Sequence, residues 1–189
     1  MRIQSAYKSM CLSALTLCLG LSCYATASES MPQNDADSRL KIEFVEPKSF
    51  TDIRPSNQSR AKFREHVLKT MQDYFDELAQ TLPEGQVLAV TVEDIDLAGD
   101  TRSPRVPIGS TMFDVRVMED IYFPRIKFSF VLTDANGEQL QADQVNLKDM
   151  SYLNRAGRIR NNTDAFPYEK NMLEKWFKDT FKQSDEQAS

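Results

Sequence analysis

The stretch Arg125-Ile126-Lys127-Phe128-Ser129-Phe130-Val131-Leu132-Thr133-Asp134-Ala135-Asn136-Gly137-Glu138-Gln139-Leu140 decides the fold. Ile126, Phe128, Phe130 and Leu132 alternate with Lys127, Ser129 and Val131, the period-two pattern of a strand with one buried face. Asn136-Gly137 follows as a two-residue hairpin signal, because both residues tolerate the left-handed backbone such turns require. The returning strand is expected over Glu138 to Leu147. Its apolar phase slips between Ala142 and Val145, which predicts an irregularity near Asp143.

Outward from the hairpin, Leu40, Ile42 and Phe44 alternate with Lys41 and Glu43 in a strand ending at Pro47. Phe63, Val67, Met71, Tyr74, Leu78 and Leu82 recur at helical spacing. Ser56, Asn57 and Ser59 are candidate N-caps, and Pro83 with Gly85 stops the helix. Val87 to Leu97 reads as a strand with Leu88, Val90 and Val92 on one face. Ile95 and Leu97 fall on the other face, so either a bulge interrupts it or both faces are covered. Leu173, Trp176, Phe177 and Phe181 form an amphipathic helix from near Pro167, with Trp176 on its core side. The β-α-β-β-β-α order predicts an α+β fold, a single mixed β-sheet with two main helices packed on one face. The first two strands, joined by a helix, are expected to run parallel.

The N-terminus reads differently. Arg2 and Lys8 precede an apolar run from Met10 to Cys23 and the small-x-small ending Ala25-Thr26-Ala27. That is the pattern of a cleavable signal peptide over residues 1–27, too short in its apolar core to span a bilayer. Gly20 stands where the lipid-anchoring signal before Cys23 needs an aliphatic residue, so a soluble periplasmic product is expected. Residues 28–39 read as a disordered leader, 40–182 as one α+β domain, and 183–189 as a frayed tail.

Cleavage takes the net charge from −5 to −7 by removing Arg2 and Lys8. So acidic a chain is not expected to bind nucleic acid, and no later apolar run is long enough for a membrane span. Cleavage also removes Cys11, Cys18 and Cys23, all three cysteines. Stability must then come from packing, and thiolate zinc sites are ruled out. His66 is the one histidine and reads as a surface residue of the first helix. No cofactor is expected, since phosphate-binding glycine loops and nucleophile elbows are absent.

Asp94, Asp96 and Asp100 resemble the start of a calcium loop, but Ala98 and Arg105 occupy its fifth and twelfth positions. Two long connections are candidate functional loops: Ala98 to Glu119, and Ser151 to Thr163 with Arg155, Arg158 and Arg160. Arg116 and Arg125 suit bidentate contact with an anionic ligand, or structural ion pairs with Asp114, Asp120 and Asp149.

Several segments together resemble a known family. They are Val90-Thr91-Val92-Glu93-Asp94-Ile95-Asp96-Leu97-Ala98-Gly99, Asp114-Val115-Arg116-Val117, Asp120-Ile121-Tyr122-Phe123-Pro124-Arg125-Ile126, Leu147-Lys148-Asp149-Met150, and Tyr168-Glu169-Lys170 with Trp176-Phe177. Their order is similar to a proteobacterial secreted family catalogued as domain of unknown function 3016. The resemblance implies export in Gram-negative bacteria and brings no assigned activity. It singles out Asp114, Arg116, Arg125, Asp149, Glu169 and Lys170 as candidate binding residues.

The expected function is a non-enzymatic module binding an envelope component or a protein partner. Its groove would lie between the two long loops and Pro124-Arg125. The alternative is a small hydrolase using paired carboxylates, with or without an oxygen-ligated metal. Oligomeric state is not encoded legibly.

Overall fold

The computed structural model describes residues 38–56, 59–101, 106–108, 111–113, 115–154 and 164–182. The expected signal peptide, most of the leader, Asn57, Asp114, the loop arginines and the tail from residue 183 lie outside them.

The elements are β1 (Leu40–Phe44), α1 (Arg60–Ala79), β2 (Val87–Asp96), β3 (Val106–Ile108), β4 (Thr111–Phe113), β5 (Arg125–Thr133), β6 (Gln139–Lys148) and α2 (Pro167–Phe177). A π-helical turn, Lys178–Lys182, extends α2. The main sheet is mixed and four-stranded, in the order β1-β2-β5-β6. β1 runs parallel to β2, and the other neighbours are antiparallel. This is the expected α+β architecture. One element is additional: the stretch read as a loop after Ala98 contains the β3-β4 ribbon.

One face of the sheet carries the core. Leu40, Ile42, Phe44, Leu88, Val90, Val92, Ile126, Phe128, Phe130 and Leu132 are buried there, against Val67, Met71 and Phe75 of α1 and Leu173 and Trp176 of α2. Trp176 meets Phe128 and Phe130 edge-on at 4.8 and 5.4 Å, and Phe75 meets Phe128 at 5.6 Å. Such contacts add about 1 kcal/mol each beyond the area they bury.

The phase slip in β2 is a bulge. Its register with β5 shifts between Val92 and Asp94, which returns Ile95 to the core face. The slip expected near Asp143 has another cause. Pairing runs regularly through Asp143, opposite Phe130, and the irregularity sits where Leu132 pairs with Gln141 and Thr133 with Gln139. Gln141 and Asp143 share the core-side face but are exposed, because this end of the edge strand is uncovered. Polar residues there discourage strand-to-strand aggregation.

The hairpin turn also differs from the two-residue form. Gly137 donates its N–H to the Asp134 carbonyl at 3.0 Å, and Asp134 donates to Glu138 at 2.9 Å. The loop therefore has three residues, with Gly137 at φ +81°. The extra residue is absorbed at Leu140, which restores the register that a two-residue turn would have set.

Candidate functional site

The end of the sheet away from the hairpin turn gathers most of the candidate residues. Two arrangements lie there, one buried and one exposed.

The buried one centres on Arg116. One guanidinium nitrogen donates to the Asp52 carboxylate at 2.9 Å and to the Ala98 and Gly99 carbonyls at 3.1 and 2.8 Å. The other donates to the Arg54 carbonyl at 2.9 Å. Five fixed donors suit this task, which a lysine ammonium would not perform. Asp52 is 1% exposed, and its Oδ1 has no hydrogen-bond partner among the described residues. Backbone bonds between Asp100 and Val117, at 2.9 Å in both directions, close the loop around the guanidinium.

Glu169 lies in the first turn of α2, where a carboxylate also meets the positive end of the helix dipole. It is 2% exposed, and its Oε1 accepts the Ala98 N–H at 2.7 Å. Burial raises its pKa above the ordinary carboxyl value, against the opposing pull of the Ala98 N–H and the Arg116 charge. Pro167 opens α2 after Phe166, which holds a left-handed φ of 55°. Phe166 packs edge-on against Phe63 at 6.0 Å, which anchors the start of α2 on α1.

Nearby, Tyr152 is 1% exposed and donates its hydroxyl to the Glu119 carbonyl at 2.8 Å. It meets Tyr168 edge-on at 5.0 Å, and burial foremost raises its pKa. Lys170 does not join the cluster. It faces Asp164 at 3.5 Å and the Tyr74 ring at 5.4 Å. Burial and the carboxylates of Glu174, Glu77 and Asp164 push the Tyr74 hydroxyl up to about 12.

The exposed arrangement is made by Arg125 and Lys148. They are direct cross-strand partners at the start of β5 and the end of β6, and both are exposed. The Arg125 guanidinium lies over the Phe123 ring at 4.4 Å. Neither cation has an ion-pair partner among the described residues. Like charges placed opposite each other on neighbouring strands repel, while Asp96 of β2 faces Arg125 from the other side and offsets part of that repulsion.

Beside it, a cleft of about 280 Å³ is lined by Leu147, Lys148, Asp149, Met172, Lys175, Trp176 and Asp179. That is at the small end for a ligand pocket, which typically begins at roughly 300 Å³. Asp149, 8% exposed, accepts the Ser151 N–H at 3.2 Å and shapes the turn after β6.

Other residues singled out in the sequence are accounted for locally. Asp94 accepts the Thr51 N–H and hydroxyl at 2.7 and 2.6 Å, and no set of three metal-ligating side chains converges among the described residues. His66 is exposed beside the Phe166 ring. No described helix is long and apolar enough to cross a membrane.

Asp52, Tyr152 and Lys148 carry this end of the molecule and were not singled out as sequence. For Lys148 a signal existed. Counting outward from Asn136-Gly137 as a two-residue turn places it opposite Arg125. For Asp52 and Tyr152 no local pattern points to partners 64 and 33 residues away.

A family model described as Protein of unknown function (DUF3016) matches residues 38–179. No curated protein and no solved structure gives a significant match.

Proposed function

The chain belongs to the DUF3016 family of proteins of unknown function, and we propose that it acts as an exported, non-enzymatic module that binds an anionic component of the bacterial envelope. The observation that carries this reading is the Arg125–Lys148 pair, two exposed cations set opposite each other and without an ion pair among the described residues, although Asp96 of β2 stands opposite Arg125 on its other side. An anion bridging them converts a repulsion into two charge-assisted contacts. The N-terminal pattern Arg2 to Ala27 supports export to the periplasm.

Arg116 and Glu169 serve this module as framework. The first is committed to Asp52 and three carbonyls, and the second is sealed against the Ala98 N–H. The hydrolase alternative requires a raised carboxyl facing substrate beside a second carboxylate. Glu169, whose pKa is raised, does not line the cleft. Asp149 and Asp179 do line it, and Asp179 is paired with Lys175.

The test is retention of the exported protein on washed Gram-negative envelopes across a salt series. Retention that falls with salt, and that is lost in Arg125→Gln/Lys148→Gln, is expected. Equal retention of the wild type and that variant would contradict the reading.

A further inference from the structure

Beyond the Arg125–Lys148 pair, the same end of the sheet ends in two short turns. In the first, Tyr122 donates its N–H to the Glu119 carbonyl at 2.9 Å, which leaves Ile121 at the tip. In the second, Tyr152 donates its N–H to the Asp149 carbonyl at 3.3 Å, which leaves Met150 at the tip. Ile121 is 67% exposed and Met150 68%, the two most exposed large apolar side chains among the described residues.

Neither turn is loose. The first is stitched to Gly99, whose N–H donates to the Tyr122 carbonyl at 2.8 Å, and to the Tyr152 hydroxyl through Glu119. The second is tied to the first by the Asp149 N–H, which donates to the Pro124 carbonyl at 3.2 Å. The fold therefore holds two apolar side chains in solvent on adjacent, braced turns. Two exposed apolar side chains held on adjacent braced turns make a candidate contact surface.

The surroundings select what covers them. Arg125 and Lys148 follow and precede these tips by four and two residues, and the half-buried rings of Tyr122 and Phe123 lie between Ile121 and Arg125 in the chain, with the Arg125 guanidinium over the Phe123 ring. Exposed apolar side chains, aromatic rings and cations gathered at one end are the groups with which a protein meets acyl chains, the interface and lipid phosphates. Glu119 and Asp120, exposed on the first turn, and Asp96, opposite Arg125 in β2, oppose this attraction, so the apolar tips must supply part of the binding.

We infer that the Ile121–Met150 tip, backed by Arg125 and Lys148, is a docking surface for an anionic phospholipid bilayer. This deepens the preceding proposal and rests on its reading of the two cations, naming the anionic component as a lipid headgroup surface. The protein lies on the bilayer through this end and does not cross it.

The test is flotation of the purified exported protein with vesicles of phosphatidylethanolamine and phosphatidylglycerol, and with vesicles of phosphatidylethanolamine and phosphatidylcholine. The wild type is expected to float with the anionic vesicles only. Ile121→Ser/Met150→Ser and Arg125→Gln/Lys148→Gln are each expected to lower partitioning about tenfold or more. Both pairs are at exposed positions, and cooperative thermal melts no lower than that of the wild type establish that the variants are folded. A wild type that does not float with anionic vesicles, or either variant floating as the wild type does, overturns the inference. If that wild type is still retained on washed envelopes through Arg125 and Lys148, the anionic-partner reading stands and only the lipid assignment falls.

Discussion

The Glu169 carboxylate accepts the Ala98 N–H at 2.7 Å, joining the first turn of α2 to the end of β2 across 71 residues. The bond fixes where the helix starts and where the loop carrying Arg116 begins. Because burial dominates, the ionised carboxylate is disfavoured in the fold relative to the unfolded chain.

That bond predicts an unusual pH dependence. The folded pKa of Glu169 is raised, so between its ordinary value and the raised one the native state binds more protons than the unfolded state. The Glu169 contribution to stability therefore rises as pH falls from the raised pKa towards the ordinary carboxyl value. It is lost as pH rises through that window. Glu169→Gln keeps an acceptor for Ala98 and removes the titration. Chemical denaturation of both proteins from neutral to mildly acidic pH should show a stability gain in the wild type that the variant lacks.

Arg116 holds a buried acid in place. Truncating it leaves Asp52, 1% exposed, without its ion-pair partner. Arg116→Ala should cost about 3 kcal/mol, the scale for breaking a buried pair. In Asp52→Asn the side chain stays polar and uncharged, so adding Arg116→Ala to it should cost less than in the wild type. A double-mutant cycle by denaturant unfolding measures the difference.

Two glycines separate space from backbone conformation. Gly99 has φ +78°, and a Cβ there would sit 2.5 Å from Met118 Sδ and 2.8 Å from the Val117 carbonyl oxygen. Gly137 has φ +81°, and a Cβ there would meet nothing within 4 Å. Gly137→Ala should therefore cost only the left-handed penalty, about 1 kcal/mol. Gly99→Ala should cost clearly more, roughly 2–4 kcal/mol, because backbone must move as well. Thermal melts of the two variants make the comparison.

β1, β5 and both helices were legible because their apolar residues keep the period of each element. The phase slip in β2 was legible, since Ile95 falls out of phase with Val92, and the strand register resolves it as a bulge. The slip in β6 misled because Gln141 and Asp143 face the core side beyond the reach of the helices. Their polarity records an uncovered end, not a broken strand. The β3-β4 ribbon has three residues per strand, too few to establish a period. Among the candidate site residues, Arg116 and Glu169 were recognisable as charged positions. Whether they face solvent or framework depends on Asp52 and Ala98, which are far away in the chain. Arg125 and Lys148 differ because a hairpin links them, so counting the register pairs them from sequence alone.

The central claim is that Arg125 and Lys148 are set together for an anionic partner and not for stability. Lys148→Glu tests it most directly, with thermal stability and retention on washed envelopes measured on the same protein. A salt bridge to Arg125 in place of a repulsion should raise stability by up to about 1 kcal/mol while retention is lost. Retention equal to the wild type, or a loss of stability in the variant, would contradict the account.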